Sequence, residues 1–366
     1  MKILFILEYY YPNIGGVEVL FKNLAENLVN DGHSILVITN KSSKSLSSNE
    51  IINGVKVKRL PLLNRYLFTF FSLPWILIYG RKYDFFHTTS YNAALPSFLA
   101  ARILRKKCFI TFHEVWGKLW FNLPNINFFN RLLYYNYEKF ILKLPFDKFI
   151  AVSNFTKEAL LDEGKSPERV ELIYNGIDYA EYQKFHYKEP SLFTFTYFGR
   201  LGVSKGIFIL LEASQMFLNR NKDWKLKLIV PKKPEKDLIH VLKLIENYKL
   251  TRYVELHHNL SNDQLRNELI NSSCVIIPSY SEGFCFAAAE VIAMGIPLIS
   301  SDKGALREVV SGKFIKMEKL DANSLFNAIT KAKQEDWTLN EVKYFKLVDC
   351  IKNYQSLYVR NFKTIN

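Results

Sequence analysis

Glu282 and Glu290 stand eight residues apart in the stretch Pro278 to Ile299, PSYSEGFCFAAAEVIAMGIPLI. At helical spacing that is about 2.2 turns, or roughly 12 Å along the axis. The pair is too far apart to share a proton or one small metal ion. It suits a grip on the two ends of one elongated ligand. Gly283 lets the backbone come close to such a ligand. A helix starting beside it offers free N–H groups and the positive end of its dipole to an anion. A sugar nucleotide has this form, with hydroxyls at both ends and a diphosphate between. The plainer alternative makes Glu282 a capping residue and Glu290 a solvent-facing position. Against it, Glu290 lies in a helix that is otherwise nearly all apolar. A second pair is cationic: Gly199-Arg200-Leu201, then Lys205-Gly206. A flexible glycine loop after a strand is able to bring Arg200 and Lys205 together on a diphosphate. Read plainly, they are two surface cations. His113, in Thr111-Phe112-His113-Glu114, sits just past a strand end, where a lone histidine is often structural.

The elements that must position these residues follow a parallel-sheet pattern. Cys274 to Ile277 reads as a strand, Ser279 to Gly283 as a loop, Phe284 to Met294 as a helix stopped by Gly295 and Pro297, and Leu298 to Ser300 as the next strand. Upstream, strand Phe193 to Phe198 delivers Arg200 and Lys205. Helix Ile207 to Asn219, strand Lys225 to Val230, strand Val254 to Leu256 and a helix capped by Ser261 follow. The chain opens on a similar unit: strand Lys2 to Leu7, a turn-rich loop Tyr9 to Gly16, helix Val17 to Asn30 and strand Ser34 to Thr39. No G-x-G-x-x-G follows the first strand, and the second ends in Thr39-Asn40 rather than an acid. A dinucleotide-binding site is therefore excluded there. Lys41 to Asn53 reads as a mobile polar loop, and Val55 to Leu60 as a strand. Leu62 to Tyr79 reads as a helix or helix pair whose apolar run is too short to span a bilayer. Asp84 to His87, Lys107 to Phe112, Lys148 to Val152 and Val170 to Ile173 read as further strands. Trp116 to Leu144 reads as a helical excursion, and Leu339 to Phe362 as a closing amphipathic helix.

A length of 366 residues suggests two domains. Cys108, Cys274, Cys285 and Cys350 show no metal or redox spacing, which points to reduced packing residues in a cytoplasmic protein. The N-terminus lacks the length and cleavage site of a signal peptide. The net charge of +14 is uneven. Residues 41–148 hold 17 basic and 5 acidic side chains, whereas 1–40 plus 149–190 hold 7 and 12. No nucleic-acid-binding motif accompanies the basic stretch, so no nucleic-acid partner is expected. The stretch is also aromatic, from Tyr66, Phe68, Phe70 and Phe71 to Phe128, Phe129, Tyr134 and Tyr135. Basic plus aromatic is the composition of a surface that rests on anionic lipid.

The Glu282-x7-Glu290 pattern, with Gly283-Phe284 after the first glutamate, resembles the retaining glycosyltransferases of the large family 4. That family usually reads Glu-Gly-Phe-Gly-Leu-Pro and then Ala-Met-Ala. Here the residues are Glu282-Gly283-Phe284-Cys285-Phe286-Ala287 and then Val291-Ile292-Ala293. Cys285 thus replaces a glycine whose N–H would face the sugar or phosphate. Pro12-x-x-Gly15-Gly16-x-Glu18, Asn175-Gly176-Ile177-Asp178, the Arg200/Lys205 segment and Arg307-Glu308-Val309-Val310 also match. Pro231-Lys232-Lys233-Pro234 departs from the family's glycine-rich turn.

The resemblance implies an α/β GT-B fold: two Rossmann-like domains with parallel sheets facing a central cleft. The first domain would cover 1–190 and the nucleotide-sugar domain 191–345, with a C-terminal helix, 346–366, crossing back to the first. It implies retaining, metal-independent transfer from a nucleoside-diphosphate sugar, UDP- in preference to GDP-. The acceptor would be a lipid-linked or other glycan, as in bacterial surface polysaccharide assembly. No cofactor is expected. Arg200 and Lys205 would hold the diphosphate. Glu282, with the N–H groups of Gly283, Phe284 and Cys285, would hold the sugar, and Glu290 the ribose. Gly15, Gly16 and His113 would face the donor from the first domain. With the basic aromatic surface, the expected location is cytoplasmic and peripheral on the membrane. A nucleotide-sugar epimerase of the same fold and a non-catalytic membrane-surface protein are the alternatives.

Overall fold

The structure is a computed structural model that describes every residue except Ile14, Leu63, Asn125 and residues 363–366. It divides into two compact units. The first is built from Met1–Phe121, Asn127–Gly176 and the chain from Leu347; the second is built mainly from Ile177–Lys346.

The first unit carries β1 (Lys2–Ile6), α1 (Gly16–Asn30), β2 (Ser34–Asn40), β3 (Asn49–Ile52), β4 (Val55–Leu60), α2 (Arg65–Phe71), α3 (Leu73–Gly80), β5 (Phe85–Thr89), α4 (Ala94–Ile103), β6 (Lys107–Phe112), α5 (Phe128–Lys143), β7 (Lys148–Ala151), α6 (Asn154–Asp162) and β8 (Val170–Leu172). Its sheet runs β3-β4-β2-β1-β5-β6-β7-β8. All neighbours are parallel except β3 with β4, and β1 pairs Ile3 with Ile35 on one side and with Phe85 on the other. The central strands are almost wholly buried, which is why they read as unbroken apolar runs rather than as alternation.

The second unit carries β9 (Thr194–Phe198), α7 (Ile207–Arg220), β10 (Lys225–Ile229), α8 (Glu235–Asn247), β11 (Val254–His257), α9 (Asn262–Ile270), β12 (Cys274–Ile277), α10 (Phe286–Ala293), β13 (Leu298–Ser300), α11 (Leu306–Val309), β14 (Lys313–Lys316), α12 (Ala322–Lys333) and β15 (Thr338–Leu339). Its sheet runs β11-β10-β9-β12-β13-β14-β15, with only β15 antiparallel among the described strands. Trp224 stacks on Phe195 at 5.1 Å and meets Phe217 edge-on at 5.5 Å in the core. The last helix, α13 (Leu347–Phe362), belongs to the first unit. Its Tyr354, Leu357 and Tyr358 are fully buried there, each contributing on the order of 2 kcal/mol of apolar burial. The Tyr358 hydroxyl meets His87 Nδ1 at 2.6 Å, and His87 Nε2 meets the Thr111 hydroxyl at 2.8 Å. Burial pushes the imidazole down to about 3, so His87 is neutral and bridges two hydroxyls.

Several expectations change. Lys41–Asn53 is not all loop: it contains β3, which returns into β4 through Asn53-Gly54, both at positive φ. Asn-Gly between apolar residues is a hairpin turn signal. The closing helix begins at Leu347 rather than Leu339, because the preceding backbone is satisfied elsewhere. Asn340 N–H donates to the Gly312 carbonyl at 3.0 Å, and Phe345 N–H to the Tyr179 hydroxyl at 2.9 Å. Residues 177–190, placed by the sequence in the first domain, group with the second unit. Ile177 N–H donates to the Phe345 carbonyl at 2.9 Å, and Arg266 lies over the Tyr182 ring at 4.6 Å.

The helix or helix pair expected over Leu62–Tyr79 is two short helices, α2 and α3, from Arg65 onward; Leu63 lies outside the described residues. α2 meets α5 where Tyr66 hydrogen-bonds Tyr134, and where the Thr69 hydroxyl, which donates to Asn92 Oδ1 at 3.1 Å, lies beside Tyr137. These two helices leave Phe70, Phe71, Phe128 and Phe129 exposed, at 72%, 55%, 69% and 74%. Trp116 and Trp120 instead gather round the buried Glu138. That carboxylate accepts from the Gly117 N–H at 2.6 Å, the Trp116 N–H at 3.1 Å and the Tyr91 hydroxyl at 2.8 Å. Among the described residues no helix is long and apolar enough to cross a membrane.

Candidate functional site

In each sheet the chain reverses its direction of travel once. In the second unit, β9 leads outward to β10 and β11, and β12 leads the other way to β13 and β14. The crevice beyond the carboxyl ends of β9 and β12 is the topological switch point, where open α/β sheets bind ligands. Arg200 and Lys205 follow β9. Glu282 and its neighbours follow β12.

The two loops are locked together. Lys205 Nζ donates to Glu282 Oε1 at 2.7 Å, and the Ser279 hydroxyl donates to the same oxygen at 2.7 Å. Tyr280 N–H donates to the Ser204 carbonyl at 2.8 Å. Gly206 sits at φ +71°, where a Cβ would lie 1.9 Å from the Pro278 carbonyl oxygen, so only glycine fits. On the other side, Gly304 at φ +62° lets its backbone press on Glu282, and a Cβ there would lie 2.4 Å from the Glu282 carbonyl oxygen. That carbonyl accepts from Ala305 N–H at 2.8 Å. The Ser301 hydroxyl holds the Ser279 carbonyl at 2.6 Å. The Tyr197 hydroxyl donates to the Arg200 carbonyl at 2.9 Å, and the Arg200 side chain itself is exposed. The result is a buried carboxylate paired with a cation, beside a second cation that faces solvent.

The helix after Glu282 is shorter than the sequence suggested. It starts at Phe286, because Cys285 adopts φ +73°, ψ +78° and cannot belong to a right-handed helix. Glu282 is therefore a loop residue and not a helix cap. Cys285 and Phe284 are buried, and Phe284 packs edge-on against Phe286 at 5.3 Å and Phe345 at 5.2 Å. Gly283 is buried between Glu282 and Phe284.

Glu290 forms a separate set. It meets the Tyr182 hydroxyl in a side-chain hydrogen bond, and burial pushes its carboxyl up to about 7 despite that bond and the nearby Arg266. Arg266 in turn pairs with Glu181 at 2.7 Å. Lys205, Glu282, Gly283, Phe284 and Cys285 thus lie together at the loop, with Glu290 on another hydrogen-bonded cluster. Ser279, Gly304, Tyr182 and Arg266 were not foreseen. Ser279, three residues before Glu282, carried the only local signal among these four.

In the first unit, the loop before α1 lies at the switch point between β1 and β5, and His113 follows β6. Gly15 is extended, at φ −169°, so its backbone does not itself demand glycine. A Cβ there would instead meet the Glu18 carboxylate at 2.4 Å. Gly16 begins α1. His113 Nε2 is buried with no hydrogen-bond partner among the described residues, and burial lowers its pKa to about 4. It is therefore neutral near pH 7. Among the described residues no three His, Cys, Asp or Glu side chains converge as a metal site.

Two Rossmann-like parallel sheets, one carrying Arg200, Lys205 and a Glu-x7-Glu loop-helix after the strands at its switch point, define the GT-B class of glycosyltransferase. The chain belongs to glycosyltransferase family 4: the model for Glycosyltransferase Family 4 matches residues 14–181, and that for Glycosyl transferases group 1 matches residues 178–345. It is 25% identical over 341 residues to one chain of the human phosphatidylinositol N-acetylglucosaminyltransferase, covering 90% of this chain and 68% of that one. It is also 25% identical over 345 residues to the GDP-mannose:cellobiosyl-diphosphopolyprenol alpha-mannosyltransferase of Xanthomonas oryzae pv. oryzae, covering 88% and 85%. Among solved structures, sucrose-phosphate synthase from Thermosynechococcus elongatus superposes over 100% of both chains with a TM-score of 0.79 at 20% identity, a likeness of fold. The protein is a glycosyltransferase.

Proposed function

We propose that this glycosyltransferase moves a sugar, with retention and without a metal ion, from a nucleoside-diphosphate sugar to a lipid-linked or membrane-held glycan acceptor. The setting proposed is surface polysaccharide assembly at the cytoplasmic face of a membrane. The Lys205–Glu282 pair at the β9/β12 switch point is the observation that carries this reading. In the reaction the bond between the anomeric carbon and the diphosphate oxygen breaks. The acceptor hydroxyl oxygen bonds the same face of that carbon, and its proton passes to the leaving phosphate. Lys205 and Arg200 neutralise the charge that grows on the diphosphate, a task that otherwise falls to a metal ion. Glu282 accepts from sugar hydroxyls, the N–H groups of Gly283, Phe284 and Cys285 face the donor, and Glu290 accepts from the ribose. Gly15, Gly16 and His113 keep the donor-facing role that the family implies. A uridine nucleotide is the donor to try first; the mannosyltransferase relative names a guanosine one. Both relatives' names place a lipid in the acceptor, phosphatidylinositol in one and diphosphopolyprenol in the other. The exposed phenylalanines of α2 and α5 support an acceptor held at a lipid surface.

The test is a panel of UDP-, GDP- and ADP-sugars scored by thermal shift and by slow donor hydrolysis, with EDTA present and absent. One donor should stabilise the wild type and be hydrolysed equally with and without EDTA. Glu290→Ala and Lys205→Ala should each lose at least about tenfold in donor affinity, the equivalent of about 1.4 kcal/mol. A panel in which no donor shifts the melting point would overturn the reading. Activity abolished by EDTA would overturn its metal-free part.

A further inference from the structure

We infer that Tyr182 is a positioning residue for Glu290, clamped in place by Arg266, and that it holds one carboxylate oxygen so that the other is presented to the ribose. This rests on the proposed nucleotide site. The clamp has several parts. Arg266 on α9 is only 10% exposed in its side chain. Its guanidinium lies over the Tyr182 ring at 4.6 Å and the Phe185 ring at 5.6 Å. It also pairs with Glu181 at 2.7 Å and with Asp263 at 3.6 Å. Tyr182 ends the 3-10 turn Tyr179–Glu181, which starts from an Asp178 side chain accepting the Ala180 N–H at 3.1 Å. The ring is buried, so its hydroxyl has little freedom other than to face α10. A planar cation stacked on one face and paired at its far side fixes a ring better than apolar contact alone.

The charged and titratable groups facing Glu290 are Tyr182, Arg266, Glu181 and Cys285. Burial and Glu181 favour the neutral acid, whereas Tyr182 and Arg266 favour the carboxylate. An ionised Glu290 accepts from ribose hydroxyls with the oxygen that Tyr182 leaves open. The grip is therefore present above the group's pKa and fades as pH falls through it. Removing the Tyr182 hydroxyl takes away a lowering influence, so the pKa rises and the grip is lost at higher pH.

The experiment measures binding of UDP and GDP, each beside its 2′-deoxy counterpart, from pH 5.5 to 8.5. The ratio of the two affinities cancels phosphate ionisation and isolates the ribose contact. In the wild type the ratio should favour the ribonucleotide at high pH and decline through about pH 7. In Tyr182→Phe the midpoint should move upward, and the ratio at pH 7 should drop by about 3- to 10-fold, the worth of one ordinary hydrogen bond. The melting temperature should stay close to that of the wild type. Arg266→Gln should move the midpoint in the same direction. An unmoved midpoint and ratio in Tyr182→Phe would overturn the inference while leaving the nucleotide site standing. Failure of the wild type to bind either nucleotide would overturn both.

Discussion

At Cys285 a thiol occupies a left-handed backbone position that costs an ordinary residue about 1–2 kcal/mol. The family's glycine avoids that cost. Restoring it, Cys285→Gly, relieves the strain, but it enlarges the unfolded ensemble by about 0.4–1 kcal/mol and gives up the packing of a small buried side chain. These effects nearly cancel, so the melting point should change by the equivalent of less than about 1 kcal/mol. Cys285→Val should lose at least about 2 kcal/mol, because a β-branched residue at positive φ is a true outlier. Chemical denaturation of the three proteins measures both. A strongly destabilised glycine variant would mean that the thiol itself holds the loop. The Lys205–Glu282 pair belongs to the same scale. It could not be read from residues 77 positions apart, although each partner was legible alone from its local glycines.

Among the elements, α13 depends on a histidine that stays neutral. His87 is pushed down to about 3 in the folded chain, and an unfolded histidine titrates near 6.5. Between those values the unfolded state binds the extra proton. Stability is therefore full above about pH 6.5 and is lost as pH falls toward 3. At pH 5 the loss from this one group reaches at most about 2 kcal/mol. His113, lowered to about 4 by burial, adds in the same direction. Urea titrations at pH 7.5 and 5 should show the decline, and His87→Gln should show less of it. An equal decline in both would assign the acid sensitivity elsewhere. The amphipathic pattern announced this helix, but nothing in the sequence said that Tyr354 and Tyr358 would meet His87 and Thr111.

At the scale of the whole molecule, the excess of positive charge and the exposed phenylalanines fall in the same stretch of the first unit. If that surface meets lipid, the chain should sediment with anionic vesicles at low salt. Binding should weaken as salt is raised past the screening range. A quadruple variant, Phe70→Ser, Phe71→Ser, Phe128→Ser and Phe129→Ser, should bind at least about tenfold more weakly, since each ring removed forfeits apolar burial in the interface. Its melting point should hardly move, because these rings are already exposed. Vesicle-independent behaviour of the wild type, or equal binding by the variant, would rule out this surface as the docking face.

By itself the sequence determined the two-unit α/β class and most of the parallel strands, and it singled out Arg200, Lys205, Glu282 and Glu290 as the candidate site residues. Those signals are local: unbroken apolar runs and glycines beside charged residues. Tertiary structure alone decided the rest. It paired Lys205 with Glu282, pressed Gly304 against the Glu282 backbone, set Tyr182 and Arg266 on Glu290, and kept Cys285 out of the helix. It also split the aromatic stretch, burying part of it round Glu138 and leaving Phe70, Phe71, Phe128 and Phe129 to solvent. Each of these is a contact between segments far apart in the chain, or a backbone angle imposed by such a contact. Pattern and propensity act over a few residues and do not register them.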